Sequence, residues 1–135
     1  MENGFLLEET LVAKLEALNG LSGRVCPIQD IHKSTGPLAV FAQRDESEES
    51  AIDGLTGMST AVYEIHALHG TYEKMRLLAE QIKKTIQALR QHAEGPLYIE
   101  EVTVTLASPD IYEDRVQLFR RTYKVTIQYQ IKEDM

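Results

Sequence analysis

The sequence predicts an α+β domain: a mostly antiparallel four-stranded sheet with two helices packed on one face, in the order helix-strand-strand-helix-strand-strand. Three patterns carry that expectation. Leu7, Leu11, Leu15 and Leu18 recur at four- and three-residue spacing, and Met75, Leu78, Ala79, Ile82, Ile86, Leu89 and Ala93 form a longer stripe of the same kind. Such spacing lines one side of a helix. Near the C-terminus, Phe119, Tyr123, Val125, Ile127, Tyr129 and Ile131 alternate with Arg120, Thr122, Lys124, Thr126, Gln128 and Gln130. A two-residue period is that of a strand with one buried face, and Arg121 alone breaks the apolar row.

The first helix covers about Phe5 to Leu18, with Asn3 as N-cap and Asn19-Gly20 as a left-handed stop. Leu21 to Thr35 carries Gly23 and Pro27 without a sustained period, and reads as a connection with one short strand near Val25. Leu38 to Gln43, an apolar run after Gly36-Pro37, is too short for a helix and suits a buried strand. Residues 44–58 form an acidic hairpin loop, expected to be mobile in the isolated protein: Asp45, Glu46, Glu48, Glu49 and Asp53 fall among Ser and Gly residues. Without those five acids the formal charge of -7 would be -2.

Alternation resumes from Ser59 to His69, where Tyr63, Ile65 and Ala67 share a face, and this segment pairs with 38–43 as a long-looped hairpin. Thr71 is the N-cap of the long helix, which Gly95-Pro96 should close. Val102, Val104 and Leu106 then alternate with Glu101, Thr103 and Thr105, and Ser108-Pro109-Asp110 opens a turn region reaching Asp114. Both helices should cover the apolar face of the sheet and leave a wide polar face bare, the first place to look for a partner.

A length of 135 residues fits a single domain spanning 1–135. The acidic balance argues against a broad phosphate-binding surface and sequence-independent DNA binding. The apolar runs are short and Met1 leads into Glu2, Asn3 and the Glu8-Glu9 pair, so neither secretion nor membrane insertion is expected. The lone Cys26 has no intramolecular disulfide partner, in keeping with a reducing compartment.

Catalytic constellations fail on spacing. The chain has no phosphate-binding glycine pattern and no Gly-x-Ser-x-Gly elbow. His66 and His69 are three apart on a strand and face opposite sides of the sheet, while His32 and His92 lack a ligand-spaced Cys or carboxylate. No metal, cofactor or catalytic residue is therefore expected. Cys26 reads as a small apolar residue beside Pro27, and the adjacent Glu100 and Glu101 point apart. Tyr123 and Tyr129 lie on the face opposite Arg120 and Lys124, which separates stacking from charge and argues against a nucleic-acid platform. What remains is a binding or structural protein.

One family fits that remainder. Arg24-Val25-Cys26-Pro27 follows the first helix; Gly36-Pro37-Leu38-Ala39-Val40-Phe41 opens a strand; Gly57 precedes the strand Ala61 to Ala67, and the helix from Tyr72 to Leu89 comes directly after. The Asp110-Ile111-Tyr112-Glu113 turn and the Tyr123 to Tyr129 strand complete the order. Over nearly its whole length the chain resembles the tail-completion proteins of long-tailed bacteriophages and prophages, which include tail terminators and head-to-tail joining proteins. It departs from their pattern at Cys26, where an aromatic residue is common, and in the acidity of 45–53.

The resemblance implies a protein that assembles into a ring, commonly hexameric, at the head-proximal end of the tail tube. There it would halt tube growth or provide the surface on which a DNA-filled head docks, without enzymatic activity. Its implied partners are the tail tube protein, the head-tail connector protein and further copies of itself, with no sequence-specific nucleic acid and no membrane. Its implied locations are the bacterial cytoplasm during assembly and the virion tail. Asp45, Glu46, Glu48, Glu49, Asp53, Arg120 and Lys124 form the candidate interaction surface, the acids engaging a basic patch on a neighbour or on the tube. The competing expectation is a stand-alone ligand-binding or regulatory α+β domain that dimerises through its sheet.

Overall fold

A computed structural model of the chain describes residues 3–18, 20–21, 23–27, 37–50 and 57–131. The elements are α1 (Asn3–Glu16), β1 (Val25–Pro27), β2 (Leu38–Ser50), β3 (Gly57–His69), α2 (Tyr72–Gln87), β4 (His92–Glu94), β5 (Leu97–Glu113) and β6 (Leu118–Ile131). The strands form one six-stranded sheet in the order β1-β2-β3-β6-β5-β4, and it curls into a half-barrel. The fold is α+β, but the sheet is not the four-stranded antiparallel one that the periodicity predicts. β1 adds a parallel edge, with Cys26 opposite Val40, and β4 adds an antiparallel one, with Ala93 opposite Tyr98.

Two short edges explain the difference. Each of β1 and β4 is three residues long, too short for a two-residue period to register. β4 occupies the place assigned to the end of the long helix: α2 stops at Gln87, Gln91 takes a left-handed φ of 57°, and Ala93 is exposed on a strand rather than buried in the stripe. Gly95-Pro96 is therefore the link of the β4–β5 hairpin. Gly95, at φ 60°, supplies the positive φ such two-residue links demand.

Two strands also run past their expected ends. β2 continues through Asp45–Ser50, paired with β3 from Asp45 opposite Val62 to Ser50 opposite Gly57, after a register shift at Arg44. The backbone of the expected 44–58 loop is thus strand up to Ser50, while residues 51–56, including Asp53, lie outside the described residues. β5 continues through Ser108-Pro109-Asp110 by register shifts between Leu106 and Ser108 and between Ser108 and Ile111. Proline, which cannot donate to a ladder, sits at the bulge. The turn itself comes later, at 114–117, closed by the Gln117 amide donating to the Glu113 carbonyl at 2.7 Å.

The core lies between the helices and one face of the sheet. Leu7, Leu11 and Leu15 of α1 meet Met75, Leu78, Ala79, Ile82 and Ile86 of α2, and both sets rest on Tyr63, Ile65, Ala67, Tyr123, Val125, Ile127 and Tyr129. The stripes are buried from Leu7 to Leu15 and from Met75 to Leu89, and so is the alternating row from Tyr123 to Tyr129, while Leu18, Phe119 and Ile131 are partly buried against the core. Thr71 caps α2, its Oγ1 accepting from the Lys74 amide at 3.2 Å. The opposite face is not uniformly polar. Leu38, Val40, Leu68 and Leu118 bury themselves there as a small second cluster, with Cys26 and Val116 packed against it.

Candidate interaction surfaces

The register sets Arg120 apart from the acidic residues singled out in the sequence. Asp45, Glu46, Glu48 and Glu49 belong to the far half of β2, beside the start of β3. Arg120 stands opposite Leu68, at the other end of β3. Seven residues of β3 separate Leu68 from Ala61, the partner of Glu46, roughly 23 Å at about 3.3 Å per residue. Arg120 is also half-buried and engaged inside the protein, its Nη1 2.9 Å from Glu113 Oε2. Lys124 is exposed at mid-strand, opposite Glu64 and Thr105.

Between those positions lies a buried polar group that the spacing does not reveal. His66 stands opposite both Val40 and Thr122, and its Nδ1 shares a hydrogen bond of 2.9 Å with Thr122 Oγ1. Its Nε2 comes within 3.3 Å of Glu64 Oε1 without the alignment of a hydrogen bond. Glu64 Oε2 in turn lies 3.5 Å from Arg44 Nε. Burial, reinforced by the charge of Arg120 and opposed by Glu64, holds the His66 imidazole below its ordinary 6.5. His69, on the other side of the strand, is lowered in the same direction by burial and by Lys74.

The sign of the pH dependence follows. The unfolded chain takes up the proton first, so stability is full above pH 6.5 and is lost as pH falls from there through the lower folded values. The expected result is that His66→Asn flattens the decline of Tm between about pH 7 and 5 without abolishing it, because His69 still contributes. An unchanged slope in calorimetry would remove His66 from the account.

A third cluster ties the sheet to α2. Arg121, the residue that breaks the apolar row of β6, lies on the helix-covered face and grips Asp110 with two hydrogen bonds, Nε to Oδ1 at 2.9 Å and Nη2 to Oδ2 at 2.8 Å. Tyr72, in the first turn of α2, donates to the same carboxylate at 3.2 Å, and Glu80 lies 3.9 Å from the guanidinium. These bonds hold the Asp110 carboxyl below its usual range, Arg121 being the main cause. The bulge at Ser108–Ile111 is what brings Asp110 to Arg121, since in an unbroken ladder it would fall elsewhere in the register.

Exposed apolar side chains flank this cluster on both sides of the sheet: Tyr112 pairs with Phe119 on the helix side, and Ile111 pairs with Arg120 on the other. The large apolar side chains most exposed among the described residues are Leu77, at 63%, and Tyr72, Leu106, Ile111 and Tyr112, at 40–57%. All five belong to the first half of α2 or the far half of β5. Phe119 joins the two elements through edge-on contacts with Tyr72, centroids 6.1 Å apart, and Tyr112, 4.9 Å. An open groove of about 430 Å³ runs along Tyr72, Glu73, Arg76, Leu77 and Glu80. In a chain of formal charge -7, α2 is locally basic, with Lys74, Arg76, Lys83 and Lys84 against Glu73 and Glu80. The sequence does carry a signal for this face: Leu77 falls off the apolar stripe that buries its neighbours.

Edges complete the picture. β1 covers β2 only at Ala39, Val40 and Phe41, and β4 covers β5 only at Leu97, Tyr98 and Ile99. Beyond those residues both strands are open on their outer sides among the described residues. On β5 the bulges and Pro109 interrupt the edge, devices that discourage indiscriminate pairing. No helix of the described residues is long and apolar enough to cross a membrane. Among the described residues no group of three or more His, Cys, Asp or Glu is placed to hold a metal ion.

These features define an α+β domain with exposed apolar and charged groups and, among the described residues, open grooves such as the one along α2. A chain of the virion of native gene transfer agent (GTA) particle has a similar fold, with a TM-score of 0.64 at 10% sequence identity over 89% of this chain and 91% of that one. No protein-family model matches the chain, and no curated protein matches it.

Proposed function

We propose that this protein is a structural component of a phage-like virion that closes the head-proximal end of a long tail, ending growth of the tube, joining tail to head, or both. The observation that carries the proposal is the fold likeness to a chain of a gene transfer agent virion, which extends over nearly the full length of both chains. Fold alone does not select a function; the resemblance in the order of motifs from Arg24-Val25-Cys26-Pro27 to the Tyr123–Tyr129 strand is what supports the tail-completion role within that setting. The chemistry of the surface agrees with it. Apolar side chains stand exposed on α2 among bases that form no ion pair among the described residues, and β2 carries a run of acids, features that serve contacts between proteins. In this reading the protein is not an enzyme, works as a ring, hexameric by resemblance to the family, and meets the tube protein and the head-tail connector on its two faces.

The test is deletion of the gene from its encoding element, followed by electron microscopy of the particles. Tails of uncontrolled length are expected if tube termination dominates, and finished tails beside unattached heads if joining does. Normal joined particles would overturn the proposal.

A further inference from the structure

The outward side of α2 is rich in bases and β2 ends in a run of acids, and the register sets the two apart: the acids pair with the start of β3, whereas α2 follows its end. α2 packs on β3, β5 and β6, whereas the acidic half of β2 lies beyond β3 on the open side of the sheet. We propose that the two surfaces meet between copies: the exposed side of α2, around Lys74, Leu77 and Lys84, seats the Asp45–Glu49 segment of β2 from a second copy of this chain. The inference rests on the ring reading above and names the contact that would close it.

Three observations argue for this occupant. First, the charges are opposite in sign. Asp45, Glu46, Glu48 and Glu49 fall within five residues of strand, with Glu46 and Glu48 at register positions of one face and Asp45 and Glu49 at those of the other, and Lys74, Arg76 and Lys84 are exposed on α2. None of those three bases has a carboxylate within ion-pair distance among the described residues. Second, α2 offers an apolar anchor at the same place. Leu77 is 63% exposed, one helical turn from both Lys74 and Glu80, and an apolar centre with a charged rim is the usual anatomy of a specific contact. Third, the far half of β2 is reachable, because β1 ends at the partner of Phe41 and no described strand flanks the rest.

Two different patches make a head-to-tail contact. Such a contact propagates from one copy to the next and closes into a ring when the rotation allows. It also predicts a particular response to salt. If like net charge governed association, screening would strengthen it; if these local opposite charges govern it, screening weakens it.

The test is sedimentation velocity of the full-length chain, from micromolar to the highest soluble concentration, at low and high salt. One variant carries Lys74→Glu with Lys84→Glu, a second carries Glu46→Lys with Glu48→Lys, and a third combines all four. The combination restores the wild-type net charge, so a general charge effect cannot imitate a rescue. The wild type is expected to associate more weakly at high salt. Each single-surface variant should lose about ten-fold or more in association, and the combined variant should recover most of it. Circular dichroism and Tm show whether each variant is folded; if the helix variant is not, Leu77→Ser, which leaves the charges in place, takes its role and should weaken association likewise. A wild type that stays monomeric throughout, a combined variant no better than its parents, or association that strengthens with salt would overturn the contact.

This result is separable from the tail role. A monomer would remove this contact and leave the deletion phenotype to decide the function. Normal particles after deletion would reject the tail role and leave a measured self-association standing.

Discussion

Tyr63→Ala is expected to cost about 3–5 kcal/mol, the range for removing a large aromatic side chain from a well-packed core. A domain of this size has roughly 5–15 kcal/mol in total, so the variant should be largely unfolded at temperatures where the wild type is intact. Tyr63 is fully buried in the main cluster, on the central strand β3, which pairs with β2 through Gln43 and with β6 through Val125. Its hydroxyl also reaches the helix layer, donating to Glu8 Oε1 at 3.3 Å. Tyr63→Phe keeps the ring and loses the hydroxyl, and should cost only about 1 kcal/mol. Urea denaturation separates the two. If the phenylalanine variant is as unstable as the alanine one, the hydroxyl rather than the ring is what the site requires, and the account of Tyr63 as packing fails.

What could be read from the sequence was whatever a single element decides for itself. α2 is the clearest case: Thr71 caps it and Met75, Leu78, Ala79, Ile82 and Ile86 are buried, so cap and stripe agree before any tertiary contact is known. β6 is similar, because every second residue from Tyr123 to Tyr129 lies in the core. What could not be read was decided by a neighbour. Asp45 to Ser50 contains no residue with strong strand preference, and these residues are strand because β3 supplies the partners Gly57 to Val62. The dipeptide Gly95-Pro96 ends a helix or turns a hairpin equally well, and only the pairing of Glu94 with Leu97 decides between them.

The candidate surface divides along the same line. Reading the acids at 45–49 and the bases Arg120 and Lys124 as one surface required a distance that a linear sequence does not contain. The register places Arg120 toward the opposite end of β3 from those acids and engages it with Glu113, while Lys124 stands at mid-strand opposite Glu64, two residues from the partner of Asp45. The face with the better claim, around Leu77, was present in the sequence as an apolar residue out of phase with its helix. Tyr112 of β5 joins this face through Phe119 of β6, which stacks edge-on against both Tyr112 and Tyr72, a link that the pairing of β5 with β6 creates. Lys74 and Arg76, off the stripe as well, read in isolation as an ordinary solvated face.

Arg121 is where an exception in the pattern marks a second large effect. An arginine in the apolar row of β6 would strand a charge against the core unless a carboxylate met it, and Asp110 does so with both oxygens. Arg121→Met keeps the aliphatic stem and removes the charge, leaving the Asp110 carboxylate half-buried with Tyr72 as its remaining hydrogen-bond donor. Removing one partner of a buried pair costs about 3–5 kcal/mol. Here both side chains retain some exposure, 16% for Arg121 and 20% for Asp110, so the expected loss at neutral pH is smaller, about 2 kcal/mol. The sign of its pH dependence is set by Asp110, whose folded pKa lies below the usual 3.8. The stability that the pair supplies is present above that value and lost as pH falls through the folded one. The gap between wild type and Arg121→Met should therefore be widest near neutrality and close progressively below about pH 4. Adding Asp110→Asn to Arg121→Met should recover part of the loss, because no charge is then left without its partner. A gap that stays constant with pH, or a double variant no better than the single, would show that Arg121 acts through packing. In that case its place in the apolar row would be explained by the stem, and the tie between the bulge of β5 and the first turn of α2 would rest on Tyr72 and Phe119 instead.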